Sequence, residues 1–317
     1  MVDYRESVSA KKTTVLPANV AALYPFKSHF LNINGLRYHY LDEGKGDVII
    51  MLHGNPTWSF YYRKMVAALR GQYRVIVPDH MGCGLSDKPD DSQYNFTLAQ
   101  RVKDLEALVA HLDLGDNLTL MVHDWGGMIG MSFAARHLQS VKRLIVSNTS
   151  AFHLPKSKPL PSALRICRDT NLGSVLVRGF NAFSRAAVYT CVKKKPLDRA
   201  TRAGYLAPYG NWSERRAVLR FVQDIPLQPK DTSYAEVTAV EQKIPQLAKI
   251  PTLIVWGAED FVFDDHFLRD WRQNFPAAIV HRLAGVGHYV LEDAFDEVLP
   301  LVNNFLKMPI TPGEFLA

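Results

Sequence analysis

Leu118-Thr119-Leu120-Met121-Val122-His123-Asp124-Trp125-Gly126-Gly127 decides how this chain is read. Leu118–Val122 is a short, largely apolar run of the kind that forms a strand buried on both faces of a sheet. Trp125–His137 follows with helical character. The change is abrupt, so Asp124 falls on a sharp strand-to-helix turn. That is the geometry of a nucleophile elbow, which lifts one side chain above the sheet at a helix N-terminus. The usual elbow spells Gly-x-Ser-x-Gly; here Asp124 stands in the nucleophile place and Val122 in that of the first glycine. Helix N–H groups and the helix dipole keep a carboxylate ionised at such a position. A plain helix N-cap is the other reading of Asp124.

Working outward, Asp47–Leu52, Tyr73–Pro78 and Val141–Ser147 read as further buried strands. Between them lie helical patterns at Trp58–Leu69 and Thr97–Leu112. Thr97 is the expected N-cap, and Val102, Leu105, Leu108, Val109 and Leu112 form one apolar face. Strands alternating with helices of this length predict a parallel sheet covered on both faces. The rhythm breaks near Phe152 with a Pro-rich connection, and the chain stays helical and basic to about Lys230. Strands return at Pro251–Trp256 and Ala278–Leu283, with a last helix over Asp293–Leu306. The expected organisation is an α/β core in two parts, 1–151 and 231–317, with a helical cap inserted at 152–230.

The 317 residues are 47% hydrophobic and 21% charged, which excludes disorder and a disulfide scaffold. Cys83, Cys167 and Cys191 form no C-x-x-C pair and read as thiols in a reducing cytoplasm. No apolar run of about 18 residues predicts a spanning helix, and the first thirty residues lack the apolar core of a secretory signal. The net charge of +6 is uneven. Pro155–Lys230 carries fifteen Lys or Arg against four acids, which leaves the rest of the chain at −5. Such a segment suits a polyanion, an acidic partner, an anionic membrane surface or a solvated helical face. Neither zinc-ligand spacing nor a nucleic-acid signature accompanies it, so no metal site and no nucleic acid are expected.

Two later sites join Asp124. Trp256-Gly257-Ala258-Glu259-Asp260 sets an acid just past a buried strand, and Ala284-Gly285-Val286-Gly287-His288-Tyr289 sets a histidine in the loop after the next one. The order nucleophile, acid, histidine, each at a strand's C-terminal end, is that of the α/β-hydrolase fold. Asp260 is the candidate to orient the imidazole, and His288 the candidate base. In His53-Gly54-Asn55-Pro56 the N–H of Asn55 pairs with that of Trp125 as the expected oxyanion hole. Their side-chain N–H groups, facing an apolar cavity with no cation, suit a halide, carboxylate or alkoxide leaving group.

HGNPTWSFYYR (53–63), PDHMGCGLSDKP (78–89), HDWGGMIG (123–130) and GHYVLED (287–293) resemble the haloalkane dehalogenase branch of the α/β-hydrolases over residues 30–306. The resemblance implies that Asp124 is the nucleophile and that Asn55 and Trp125 hold the leaving group. One subfamily carries its acid after the preceding strand. This chain has Ser147-Asn148-Thr149 there, so the acid falls to Asp260. YLAPYGNWSERRAVLRFVQDIPL (205–227) and FDDHFLRDW (263–271) are similar to the β-lactone decarboxylases of bacterial long-chain olefin biosynthesis. That likeness implies a hydrophobic cis-β-lactone substrate, release of a cis-alkene and CO2, and no cofactor. From charge alone, the basic cap around Lys193-Lys194-Lys195 is expected to dock an acidic partner among other olefin-pathway enzymes. Haloalkane hydrolysis through an alkyl ester, and a non-catalytic binding protein on the same scaffold, are the alternatives.

Overall fold

The computed structural model describes residues 16–155 and 157–309. Residues 1–15, half of the stretch read for a secretory signal, lie outside it. Eight strands form one sheet in the order β1-β2-β4-β3-β5-β6-β7-β8. They are β1 (His29–Ile33), β2 (Leu36–Glu43), β3 (Val48–Leu52), β4 (Arg74–Pro78), β5 (Leu118–His123), β6 (Val141–Ser147), β7 (Thr252–Gly257) and β8 (Ile279–Leu283). From β4 to β8 every neighbouring pair is parallel, and β1 and β2 add an antiparallel edge. This is the α/β-hydrolase architecture expected from the sequence.

All six residues of β5 are buried. Because side chains alternate across a strand, Leu120 and Val122 join one core layer with Ile129 and Phe133. Met121 points into the other layer with Ile145, Val255 and Trp58. The helices that cover these layers include α1 (Arg63–Leu69), α2 (Leu98–His111) and α3 (Trp125–Arg136). Thr97 caps α2 as expected, its side chain accepting the N–H of Gln100. Val102, Leu105 and Leu108 are buried beneath it, with Val109 and Leu112 at the margin.

Between β6 and β7 come α4 (Ser162–Asp169), a helical stretch Asn171–Gly179, α5 (Ala182–Thr190), α6 (Arg199–Leu206), α7 (Arg216–Gln223) and α8 (Tyr234–Leu247). After β7 follow α9 (Asp265–Asn274) and α10 (Phe295–Lys307). β1, β2, α8 and α9 carry no long run of apolar residues in sequence. β1 and β2 turn at Asn34-Gly35, both at positive φ, a hairpin signal that lies outside hydrophobic patterning. Among the described residues no helix is long and apolar enough to cross a membrane.

Candidate active site

β5 ends at His123, and Asp124 follows at φ +52°, ψ −130°, strain of about 1–3 kcal/mol in an L-residue. That single residue reverses the chain, so α3 starts at Trp125. Asp124 Oδ1 accepts the backbone N–H of Trp125 at 2.6 Å and that of Asn55 at 2.7 Å. The cap reading and the elbow reading of Asp124 are therefore one geometry. Two glycines make room for it. A Cβ on Gly54 would lie 2.0 Å from Asp124 Oδ1, and one on Gly126 would lie 1.9 Å from the Leu52 carbonyl oxygen.

His288 faces both carboxylates. Its Nε2 is 3.5 Å from Asp124 Oδ2 and its Nδ1 is 2.7 Å from Asp260 Oδ2. Burial disfavours the imidazolium, but Asp260 and Asp124 outweigh it and hold the His288 pKa up to about 10. Burial likewise opposes ionisation of Asp124, whose pKa is nonetheless lowered by His288 and the Trp125 N–H. Both shifts favour an imidazolium beside an ionised Asp124. His123 stays out of this exchange. Burial and the charge on His288 push its pKa down to about 3, and its Nε2 pairs with the His288 carbonyl oxygen at 2.8 Å.

Asp260 is fixed in turn by its own loop. Its Oδ1 accepts the N–H groups of Val262 at 2.7 Å and Phe263 at 3.1 Å. Asn148, a turn residue by sequence, donates through Nδ2 to Asp260 Oδ2 at 2.9 Å and to the Gly257 carbonyl at 3.0 Å. Its Oδ1 accepts the Gly257 N–H at 2.7 Å. An amide there joins the ends of β6 and β7 and orients the carboxylate. The signal was its position where related chains place an acid. Asn148→Ala strands these buried groups, so we expect a loss of about 2–4 kcal/mol. Thermal melting tests that. The kinetic expectation is a kcat reduced about 10–100-fold with KM little changed.

Asn55, Asp124, Trp125 and His288 line one cavity of about 710 Å³, and Asp260 sits behind His288 outside that lining. The walls are apolar, with Met128, Phe152, Leu164, Phe183, Val222 and Phe267 among them. The Asn55 side chain donates to the Val218 carbonyl at 3.1 Å, which ties the turn after β3 to α7. Phe221 of α7 packs its ring 5.3 Å from that of Trp125.

The structure also explains the 205–227 motif. The Arg215 guanidinium donates to four backbone carbonyls, those of Tyr209, Gly210, Arg178 and Gly179. Glu214 accepts the N–H groups of Gly210 and Asn211. Asp224 accepts the Leu98 N–H at 2.7 Å and pairs with Arg101. The motif thus holds the helices over the cavity and touches the cavity itself through Val222, Ile225 and Pro226.

The α/β hydrolase fold family matches residues 47–295. A cis-3-alkyl-4-alkyloxetan-2-one decarboxylase of Shewanella oneidensis is 57% identical, covering 90% of this chain and 89% of that protein. Haloalkane dehalogenase 2 of Mycobacterium bovis is 30% identical over 87% of this chain and 93% of its own. The crystal structure of haloalkane dehalogenase DatA from Agrobacterium tumefaciens C58 has the same fold, with a TM-score of 0.79 and 24% identity over 90% of this chain and 98% of its own. By fold and by sequence, this chain belongs to the α/β-hydrolase family, among relatives that include cis-3-alkyl-4-alkyloxetan-2-one decarboxylases and haloalkane dehalogenases.

Proposed function

We propose that this enzyme is a cis-3-alkyl-4-alkyloxetan-2-one decarboxylase with Asp124 as nucleophile, His288 and Asp260 as its charged partners, Asn55 and Trp125 at the leaving group, and residues 152–230 as the cap. One observation carries the mechanism: both backbone N–H groups of the expected oxyanion hole already hold Asp124 Oδ1. They orient the nucleophile and have no place for a substrate carbonyl oxygen. The reading that follows is attack by Asp124 Oδ2 on the saturated ring carbon that bears the ring oxygen, and not on the carbonyl carbon, as in displacement of a halide. The C–O bond breaks, its electron pair leaves on the carboxylate, and the Asn55 and Trp125 side chains receive that charge. Then the C–C bond to the carboxylate breaks and CO2 departs. Its electrons form the alkene, and the ester C–O bond breaks to return Asp124. No proton and no water are consumed, which agrees with a His288 that rests as a cation. Ring strain lowers the opening barrier, so the protein mainly supplies position and field.

Haloalkane hydrolysis is the second reading, and the same pair favours it. Esterification of Asp124 removes one of the two carboxylates that hold the charge on His288. A neutral imidazole can then activate water against the ester.

The deciding experiment gives the protein a cis-dialkyl β-lactone and, separately, a long-chain 1-bromoalkane. We expect alkene by gas chromatography and no sustained bromide release. Multiple turnovers of bromide with an inert lactone would overturn the assignment.

The proposal includes a cytoplasmic setting, in keeping with free thiols at Cys83, Cys167 and Cys191. It also includes an acidic pathway partner on the basic cap, although much of that charge is paired internally. Arg168 meets Asp231, Arg216 and Arg220 meet Asp91, Lys158 meets Asp264, and Lys194 meets Glu297.

A further inference from the structure

α4 contains no buried residue, yet Ala163, Leu164, Ile166 and Cys167 along it line the cavity. A helix that buries so little is among the first elements to move. Ala163 and Ile166 of α4, and Ala186 and Thr190 of α5, both line the cavity and are exposed. Much of the cavity's exposed rim therefore lies on α4 and α5, with Lys193 and Phe261 as the other exposed lining residues.

Beside this rim lies an apolar surface. Leu172, Val175, Phe180 and Trp212 are 57%, 45%, 68% and 45% exposed. They are contiguous. Leu172 and Val175 are one turn apart in the helical stretch 171–179, and Phe180 follows it. A Cβ on Gly179 would lie 3.6 Å from the Trp212 ring and 3.8 Å from Val175. Leu176, next to Val175, lines the cavity. Clustered exposed apolar side chains of this size mark an interaction surface, and a tryptophan with one wet edge suits a lipid–water interface.

The charges around it are mostly positive, with Glu214 beside Trp212 held by the N–H groups of Gly210 and Asn211. Residues 157–190 hold Lys158, Arg165, Arg168, Arg178 and Arg185 against Asp169 alone, and Asp169 is paired with Arg168. Arg165 and Arg185 are exposed and make no ion pair among the described residues. The Arg178 guanidinium lies 4.4 Å from the centre of the Trp212 ring. An acidic protein would satisfy the arginines but would gain less from four bulky apolar side chains beside an apolar cavity mouth.

We propose that this face docks on the surface of an anionic lipid bilayer. Leu172, Val175, Phe180 and Trp212 enter the interfacial layer, Arg165, Arg178 and Arg185 face the headgroups, and an apolar substrate passes from the bilayer between α4 and α5. The passage of substrate rests on the lactone reading; the docking does not.

The test is co-flotation of the full chain with phosphatidylcholine vesicles, with and without phosphatidylglycerol. Binding should require phosphatidylglycerol and fall at least about tenfold in about 1 M salt, where attraction is screened beyond about 3 Å. Leu172→Glu with Phe180→Glu, and separately Arg165→Glu with Arg185→Glu, should each reduce binding at least about tenfold. Their melting temperatures should stay close to that of the parent, since all four side chains are on the surface. Three results would each overturn the proposal: absence of binding to phosphatidylglycerol vesicles at low salt, binding that both variants retain, or a preference for an acidic polypeptide over vesicles. Conversion of a dimer to a monomer by Phe180→Glu, without vesicle binding by the parent, would reassign the surface to self-association. Turnover is never the readout, so failure here leaves the lactone reading standing.

Discussion

Replacement of Asp124 by asparagine is expected to reduce alkene formation by about 10⁴-fold or more, the loss typical when a catalytic nucleophile is removed. The variant isolates chemistry from architecture. Asparagine has nearly the same shape and the same branching as aspartate, so it bears the strained φ of +52° and ψ of −130° no worse than the parent residue does. Its amide oxygen can still accept the N–H groups of Asn55 and Trp125, which the parent holds at 2.7 and 2.6 Å. What disappears is the negative charge and the attacking lone pair on Oδ2. The expected result is a protein that melts close to the parent and releases no alkene above background. With the parent, intact-mass analysis after rapid quenching should find the lactone's full mass added to the enzyme, as an ester on Asp124. An Asp124→Asn protein that keeps the parent's rate would remove Asp124 from the mechanism and return it to a capping role.

Asp260→Asn is expected to cost about 10²–10⁴-fold in kcat and to change the pH dependence of stability. Two donors converge on Asp260 Oδ2: the Asn148 amide at 2.9 Å and His288 Nδ1 at 2.7 Å. An asparagine must turn an NH₂ group toward one pair of partners. Either it opposes the Asn148 donor and the Nδ1–H of the His288 imidazolium, or it leaves a loop N–H of Val262 or Phe263 without an acceptor. Replacing the histidine's carboxylate partner by an amide costs about 10⁴-fold in a serine protease triad.

The sign of the pH effect follows from the raised pKa. An unfolded histidine titrates near about 6.5, whereas Asp260 and Asp124 carry the folded His288 to about 10 against burial. Its contribution to stability is therefore complete below about 6.5 and is lost as the pH rises through 10. Lys88 acts in the opposite direction. Burial lowers its pKa to about 8, so its cost in the fold is relieved at high pH in parent and variant alike. The difference between the two melting profiles from pH 6 to 10.5 isolates His288. The gap should be widest at neutral pH and narrow toward 10. Parallel profiles would show that Asp260 does not hold the charge on His288.

Much of this site could be read from the chain because sheet chemistry is local. Strands buried on both faces must be apolar throughout, so β3 through β7 announce themselves, and an acid or histidine at the end of such a strand stands out. Asp124 and Asp260 stand out for that reason, and His288 by its glycine-containing loop after β8, a strand whose residues are only partly buried or exposed. β1 and β2 do not, because edge strands carry polar residues such as Asn32, Arg37 and His39. Asn55 reads from the chain as an oxyanion-hole candidate, but not as the link between the turn after β3 and Asp124 Oδ1. Its backbone N–H reaches a partner 69 residues away, a distance about which no pattern of residue types carries information.

Asn148 shows the same divide. Its type suits a turn, and only the adjacency of β6 and β7 brings it against Asp260, 112 residues on. The cap motif was legible as a signature, but its use was not. Arg215 serves carbonyls that converge from residues 178–179 and 209–210, and the apolar residues at 172–180 and 212 form one surface only once those segments are joined. Residue order and hydrophobic period specify strands, helices and which groups stand at their ends, since these follow from short-range sterics and burial. Which amide holds which carboxylate, the charge on His288 and the direction in which the cavity opens follow from packing between segments far apart in the chain, where hydrogen-bond reach and desolvation act through space.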